Sequence, residues 1–432
     1  MFPNEASIPI SEILATIDSA TNFLEEFRHL QPTYRRKKPG KSVFFAGITA
    51  YGCNLGIPAM AQAASQVSAN HLENTVNWYF SLENINRAND AISKFTDSIP
   101  LANLYRKNQK ELRTSSDGQK IKTISENTIF ASYSTKYFDK RKGVVAYSFV
   151  DERYIPFYSD IIDPFLREAP FVIDGLLHNE VIKSTIHVTD THGYTEAVFG
   201  LLDLLGFGFR PNIAKMLDQH LYTFKDHAIT EYKQKKYLIL PKGYIKEDQI
   251  EESWDEILRL LVSLKLKYCK ASQIFSRFNT FSKQHPLYTA LKQYGRMPKT
   301  IHILRATDDV KMRQDGRKSS NAIESSNRFS SAVFFANGGE MIFLERKQQR
   351  IAEACKTLIK NAVICWNYLY LTRKVQRIKN PEQAAALVDK LKTKTVNAWR
   401  HVYFTGTYDF SDKNLADSFN LLHSHNFDLN SE

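Results

Sequence analysis

Hydrophobic residues recur at helical spacing near both ends of the chain and at strand spacing in between. Ile8–Phe27 predicts a helix, and Ile57–Phe95 predicts two or three more. A further apolar stripe at helical spacing predicts a core helix; it consists of Leu358, Ala362, Cys365 and Leu369. These patterns predict helical regions on both sides of a segment that contains β-strands.

Short runs of β-favouring residues begin at residue 113. They predict three strands over Thr114–Ile121, Thr128–Tyr133 and Val144–Phe149. The connections between them are of hairpin length, which favours an antiparallel meander.

The next segment alternates between helical and strand patterns. We predict a crossover helix over Leu176–Ser184, a strand over Ser184–Val188, a helix over Gly193–Leu205 and a further strand over Phe207–Arg210. Strands, helix, strand, helix and strand in this order predict an α+β or α/β fold with helices packed on a mixed sheet.

The same patterns divide the chain into four regions. We expect a helical region over 1–105, the sheet-containing core over 106–214, a mainly helical insertion over 215–320 and a C-terminal helical part over 321–432. The clearest amphipathic helix of the insertion is Ile257–Tyr268.

Charge and cysteine usage narrow the class of protein. The formal net charge of +12 favours a polyanionic partner such as nucleic acid. The four cysteines have no zinc-site spacing, and Cys355 and Cys365 lie in an apolar helical pattern that predicts buried free thiols. With no signal-peptide pattern and no apolar run of membrane-spanning length, we expect a cytoplasmic protein with no membrane partner.

Two aspartates occupy positions where carboxylates are uncommon. Asp117 lies inside the first predicted strand, and Asp190 follows a later strand directly. If these strands are neighbours, the carboxylates converge at one edge of the sheet. Two close carboxylates repel unless a cation lies between them, and Mg²⁺ or Mn²⁺ accepts such oxygen ligands. Glu324, in a helical segment, is the third candidate ligand.

Each carboxylate also has a purely structural interpretation. Asp117-Gly118 is a common hairpin-turn dipeptide. Asp190 stands before a helix, where it could cap the N-terminus, and Glu324 follows Asn321 by three residues, as in a helix-start capping pair. A metal held by His187 and His192 is disfavoured, since neither histidine lies in a carboxylate–histidine zinc pattern.

At these residues the chain closely resembles the Tn3 (Tn-three) family of replicative transposases, from about Ala46 to Phe410. The segments that carry the resemblance include Asn77-Trp78-Tyr79, Ser115–Gln119, Thr189–Glu196, Tyr294-Gly295-Arg296, Ala332–Asn337, Trp366-Asn367 and Gly406–Phe410. A match of this length and order is highly specific. Members of the family are longer, with an N-terminal half that carries most recognition of the transposon ends, so the resemblance covers the catalytic half.

The resemblance implies a metal-dependent DDE triad on an RNase H-like fold. The family's two aspartates match Asp117 and Asp190, and its glutamate matches Glu324; Glu340 also matches a family position but ranks lower. It further implies DNA nicking at transposon ends, 3′-hydroxyl strand transfer into target DNA, a homodimer on DNA, and a place in the bacterial nucleoid.

Basic residues near these carboxylates are candidate phosphate contacts. They are Lys136, Arg141 and Lys142 before the third strand, and Arg317 and Lys318 before Glu324. A solvated surface explains both groups equally well.

Two other functions stay open at this point. One is a truncated, catalytically silent DNA-binding remnant of a transposase. The other is an RNase H-like nuclease without strand transfer.

Overall fold

The protein is described by a computed structural model over residues 2, 8–31, 33, 37–280 and 285–411. The chain has a mixed α+β architecture and divides into two compact units. Unit 1 comprises residues 1–109, 118–165 and 324–432, and unit 2 comprises residues 110–117 and 166–323. One strand and one helix each contribute residues to both units.

The elements follow in chain order. The first group is β1 (Ile8–Pro9), α1 (Ile10–Thr21), α2 (Lys41–Gly52), α3 (Gly56–Ala63), β2 (Ala64–Ser65), α4 (Ala69–Tyr79), α5 (Leu82–Ser98), β3 (Arg113–Lys122), β4 (Ser132–Tyr133), α6 (Thr135–Phe138), β5 (Lys142–Asp151) and β6 (Pro156–Ile162). The second group is α7 (Ala169–Leu177), β7 (Ile186–Val188), α8 (Glu196–Leu204), β8 (Gly208–Phe209), β9 (Tyr222–Thr223), α9 (Ile229–Gln234), β10 (Gly243–Tyr244), α10 (Glu247–Glu252), α11 (Trp254–Lys265), α12 (Ala271–Thr280) and α13 (Pro286–Asp308). The last group is α14 (Val310–Val333), α15 (Arg346–Gln376), α16 (Pro381–Lys392), β11 (Val402–Tyr403) and β12 (Tyr408–Asp409).

The core of unit 1 is built around the long helix α15. It packs against α1, α2, α5 and β6, which explains why it is buried over most of its length. The predicted apolar stripe of this helix is confirmed as core, because Leu358, Ala362 and Cys365 are fully buried and Leu369 is 6% exposed. Cys355 and Cys365 are buried free thiols, as predicted.

The sheet strands of unit 1 are antiparallel where they pair with β5. Strands β4 and β6 both pair with β5, at different positions along it, and β3 is the other neighbour of β5. The predicted three-strand meander is therefore wrong in its order, since β4 does not lie between β3 and β5, and β6 was not predicted. Of the predicted strand Thr128–Tyr133, only Ser132–Tyr133 is a strand. Thr128 lies in a turn instead, where its hydroxyl donates to the carbonyl of Ser125 at 2.7 Å.

In unit 2 the N-terminal part of β3 pairs in parallel with β7, and β7 pairs in parallel with β8. The predicted crossover helix Leu176–Ser184 is wrong, because α7 ends at Leu177. Asn179 follows the end of α7 and binds the backbone after it. Its side-chain oxygen accepts the backbone amides of Val181 and Ile182, and its side-chain NH₂ group donates to the carbonyl of Ile182. A side chain that binds the local backbone in this way competes with helical hydrogen bonding.

Helices α8 and α13 of unit 2 approach closely through two glycines. A Cβ atom on Gly295 would lie 1.6 Å from the carbonyl oxygen of Glu196, and one on Gly200 would lie 2.9 Å from that of Leu291. Only glycine allows the two backbones this distance. The crossing fixes α8, the helix that follows Asp190. No helix within the described residues is long and apolar enough to cross a membrane.

Candidate active site

The strands that carry Asp117 and lead to Asp190 pair with each other. Arg113, Thr114 and Ser115 pair with Ile186, His187 and Val188 in parallel. Asp117 and Asp190 each follow the last of these pairs by two residues. The chain stays extended up to Asp190, since the carbonyl of Thr189 still accepts the amide of Asn212 at 2.8 Å and Asp190 has extended backbone angles. Adjacent strands lie about 4.8 Å apart, so the backbones that lead to the two aspartates are close where the pairing ends.

His187 lies on the face of β3 and β7 opposite to the side chain of Asp117, where it is buried. Its Nδ1 lies 2.8 Å from the hydroxyl of Thr114 and its Nε2 lies 2.9 Å from that of Ser116. Successive side chains of a strand alternate between faces, so Asp117 points away from His187. Burial lowers the pKa of His187 to about 3, which keeps the ring neutral. Its role in unit 2 is to hold β3 and β7 in register.

Asp190 caps the short 3₁₀ helix Thr191–Gly193. Its Oδ1 accepts the amides of His192 at 2.9 Å and Gly193 at 3.1 Å. The structural interpretation of Asp190 as an N-cap is thus confirmed, and it coexists with a position at the strand edge. Two backbone donors on one oxygen orient the carboxylate.

The structural interpretations of the other two carboxylates are wrong. Strand β3 continues through Asp117-Gly118 to Lys122, so this dipeptide is not a hairpin turn. Helix α14 begins at Val310, so Glu324 lies far inside it, and Asn321 does not begin a helix. Asp117 is partly buried and Glu324 is exposed. Asp117 and Asp190 belong to unit 2, and Glu324 belongs to unit 1.

Within unit 1, a set of hydrogen bonds joins β3 to the second half of α14. The side-chain amide of Gln119 donates to the hydroxyl of Ser331 at 2.7 Å and to the carbonyl of Asn327 at 3.4 Å. From β5, the hydroxyl of Ser148 donates to Oδ1 of Asn327 at 3.1 Å. Sequence reasoning missed these residues. Their positions in the sequence could have indicated them. Gln119 shares a strand face with Asp117, and Asn327 is one helical turn after Glu324.

The five predicted basic residues lie in different surroundings. Lys136 is over the ring of Tyr137, and Lys142 donates to the carbonyl of Thr128. Arg317 and Lys318 are exposed on α14.

Arg141 differs from the other four because its guanidinium pairs with a carboxylate. It makes a bidentate pair with Glu340, with both distances 2.6 Å. The hydrogen bonds from Arg141 lower the pKa of Glu340. Glu340 is the second glutamate that matched a family position in the sequence.

The donor set at the strand edge is suited to a hard divalent cation. No group of three or more His, Cys, Asp or Glu side chains is arranged to hold a metal ion within residues 8–31, 37–280 and 285–411. Asp117 and Asp190 nevertheless both follow the paired segments of β3 and β7, and Mg²⁺ is commonly held by one or two carboxylates together with water and substrate phosphate oxygens. The pair fits a cation of this type.

Comparison with known proteins identifies the family of the chain. The sequence profile of the family described as Tn3 transposase DDE domain matches residues 12–408, nearly the whole chain. The chain belongs to the Tn3 transposase DDE-domain family. The resemblance read from the sequence is thereby confirmed.

Relatives in the Tn3 transposase family come from several bacteria. The chain is 29% identical over 410 residues to the transposase of transposon Tn1546 from Enterococcus faecium, covering 95% of this chain and 40% of that protein. It is 30% identical over 404 residues to the transposase of transposon Tn21 from Escherichia coli, covering 93% and 40%. The chain spans about two fifths of the length of the curated relatives it matches.

Proposed function

We propose that this chain is the catalytic region of a DNA transposase with an RNase H-like core. The single observation that carries the proposal is the parallel pairing of β3 with β7, which ends two residues before Asp117 and Asp190; from it we infer that the two carboxylates lie on one face of the sheet. Membership of the Tn3 transposase family supports it. Glu324 is the third proposed ligand, and the hydrogen bonds from Gln119 to Asn327 and Ser331 support that choice, since they fasten the helix of Glu324 to the strand of Asp117.

The proposed ligands of Mg²⁺ or Mn²⁺ are Asp117, Asp190 and Glu324. When bound, such ions activate the attacking oxygen and stabilise the leaving oxygen of a phosphodiester displacement. Asp190 is held for this task by its two backbone hydrogen bonds, so little reorganisation is needed.

The reaction takes place in two displacements. Water attacks a phosphodiester at the transposon end, and the bond to the 3′ oxygen breaks to leave a 3′-hydroxyl. That hydroxyl then attacks a phosphodiester of target DNA; one P–O bond forms as another breaks. Replicative transposition follows from this chemistry as in the family.

Phosphate contacts are proposed for the basic residues predicted from the sequence. These are Lys136, Arg141, Lys142, Arg317 and Lys318. The partners are transposon-end and target DNA, and a homodimer on DNA is proposed because both ends of an element are cut together.

The test is strand transfer of a pre-cleaved DNA end, with its 3′-hydroxyl exposed, into plasmid DNA in Mg²⁺ or Mn²⁺. Asp190→Asn is the decisive variant, because an asparagine oxygen still caps the 3₁₀ helix but carries no charge. Joining should fall at least about a thousandfold in Asp190→Asn and stay unchanged in Asp226→Ala, an exposed carboxylate of unit 2.

Other outcomes contradict the proposal in distinct ways. Metal-dependent cleavage without joining would identify a nuclease. Absence of any reaction with DNA binding intact would identify a silent transposase remnant. Full joining by Asp190→Asn would restrict Asp190 to its capping role.

A further inference from the structure

A cavity of about 450 Å³ lies in unit 2 beside the strand β8 and the helix α13. Its lining combines aromatic rings with basic groups, among them Phe199, Phe207, Phe209, Arg210, His302 and Arg305. The volume falls in the range of pockets that bind small organic groups. None of these residues belongs to the carboxylate pair of the proposed active site.

Arg210 is a half-buried cation that has no ion-pair partner within the part of the chain that the structure describes. Burial is the main cause that lowers its pKa; the charges of Glu111 and Asp309 oppose this, and those of Arg113 and Arg305 lower the pKa further. A buried guanidinium is stabilised when an anion approaches it. Phosphate suits this position well, since guanidinium groups bind it through two parallel hydrogen bonds.

Three acidic residues also line the cavity, namely Asp203, Asp308 and Asp309. Asp203 accepts the hydroxyl of Tyr294 at 3.0 Å, and Oδ1 of Asp309 accepts the amide of Met312 at 2.9 Å, at the start of α14. Two of the three carboxylates therefore already accept hydrogen bonds from the chain.

His302 lines the cavity and has one unsatisfied acceptor nitrogen. Its Nε2 lies 3.0 Å from the carbonyl of Pro211, which can only accept, so Nε2 carries the proton. The other nitrogen, Nδ1, is buried with no hydrogen-bond partner in the described residues. Burial lowers the pKa of His302 to about 4, so Nδ1 stays an acceptor at neutral pH. An N–H donor from a ligand would satisfy it.

Aromatic residues line the cavity, and Phe207 is the most exposed of them. Phe199 packs edge-on against Phe209 with ring centroids 4.8 Å apart and lies 5.7 Å from the ring of His302. Unstacked nucleobases bind on surfaces of this kind, and most carry N–H donors. The cavity thus offers two arginines for a phosphate, aromatic side chains for a base and a buried acceptor for an N–H donor. This combination suits a nucleotide.

We propose that this cavity binds one unstacked nucleotide of a DNA strand, with its base against the phenylalanines and His302 and its phosphate at Arg210 and Arg305. The proposal rests on the proposed function for its choice of DNA. The position of strand β8 supports the proposal. The amide of Arg210 donates to the carbonyl of His187, and the amide of Asn212 donates to the carbonyl of Thr189. Arg210 therefore directly follows the strand that pairs with β7, and β7 is the strand that ends before Asp190. The cavity would hold a base displaced from the duplex beside the scissile phosphate.

The test compares the binding of three short fluorescent duplexes by anisotropy at one salt concentration. One is fully paired, one has a single unpaired adenine, and one has a single unpaired abasic nucleotide. We expect about tenfold tighter binding of the adenine bulge than of either other duplex. The abasic duplex has the same bend and phosphates, so equal binding of the two bulges would overturn the proposal.

Two variants assign the preference to this cavity. Phe207→Ala and Arg305→Gln change exposed or partly exposed residues, so both should fold, and each should reduce the preference to about twofold or less. Arg259→Gln removes the same charge from an exposed position on α11 and should keep it. Retention of the preference in both cavity variants would overturn the proposal.

Asp190→Asn separates this proposal from the proposed function. It should keep the adenine preference while strand transfer is lost. A preference without strand transfer in the unaltered chain contradicts only the proposed function, and strand transfer without the preference contradicts only the nucleotide site.

Discussion

The side-chain amide of Gln119 lies 2.7 Å from the hydroxyl of Ser331, and this hydrogen bond joins strand β3 to helix α14 within unit 1. Gln119 is two residues after Asp117 on the strand, and Ser331 is two helical turns after Glu324 on the helix. The contact therefore restrains two elements that carry proposed metal ligands, although neither residue is itself a ligand.

Removal of the Gln119–Ser331 hydrogen bond should lower the rate of strand transfer markedly while the protein stays folded. Gln119→Ala should reduce the free energy of unfolding by about 1 kcal/mol and strand transfer by about tenfold or more, because small displacements of reacting groups are costly. Ser331→Ala should have a similar effect, and the double variant should be no worse than either. Additive losses in strand transfer would show that the two residues act separately.

The pair of Arg141 and Glu340 should control how much positive charge is available to DNA. Glu340→Gln releases the guanidinium, so DNA affinity should rise a few-fold, and the gain should vanish in the double variant with Arg141→Gln. The measurement is the dissociation constant across a salt series.

The exposed pair on α14 provides the comparison. Arg317→Gln and Lys318→Gln should each reduce the slope of log affinity against log salt by about one. An unchanged slope in both variants would assign these side chains to the solvated surface.

Lys360 should make stability depend on pH. This fully buried lysine of α15 donates to the hydroxyls of Ser326 and Ser330 on α14, at 2.7 and 2.8 Å. Burial, aided by the charge of Lys356 and opposed by Glu353, lowers its pKa to about 7. Below pH 7 both the folded and unfolded chains carry the proton, and the cost of the buried charge is fully present. As pH rises from 7 towards 10.5, only the unfolded chain keeps the proton, so folding becomes more favourable.

Lys360→Met should remove this dependence. Relative to the variant, the wild-type chain should gain about 2–3 kcal/mol of unfolding free energy between pH 6 and pH 9, as measured by urea denaturation at each pH. Parallel pH profiles for the two proteins would mean that Lys360 keeps its proton in the folded state over this range.

Gly295→Ala should unfold unit 2 or lower its stability by at least about 3 kcal/mol. The added methyl group meets the backbone of Glu196, which cannot rotate away as a side chain could. Thermal unfolding followed by circular dichroism measures the effect. Gly40→Ala, where the nearest atom to the new Cβ is 3.6 Å away, should change stability by less than about 0.5 kcal/mol. Equal melting temperatures for the two variants would contradict the close helix crossing.

Local periodicity was enough to locate several elements that matter for the site. The strand through Asp117, the strand that ends before Asp190 and the core stripe of α15 all follow from side chains that repeat every two or 3.6 residues. Such repeats depend only on neighbours along the chain, which is why they can be read from the sequence. The family resemblance was also carried by contiguous residues.

Contacts between distant segments were decided by the tertiary structure. The order of β4, β5 and β3, the Gln119–Ser331 bond and the Arg141–Glu340 pair each join residues that are far apart in sequence. Periodicity carries no information about which partner a strand or side chain selects, because that choice depends on packing across the whole unit.

The sequence by itself therefore determined several of the elements, the family and the positions of the two aspartates on or directly after strands. The tertiary structure alone decided that β3 and β7 pair in parallel just before Asp117 and Asp190, and that an arginine and a histidine line one cavity. The physical reason is that hydrogen bonding along a helix or strand is local, whereas strand register and buried polar pairing are settled only when distant segments pack together.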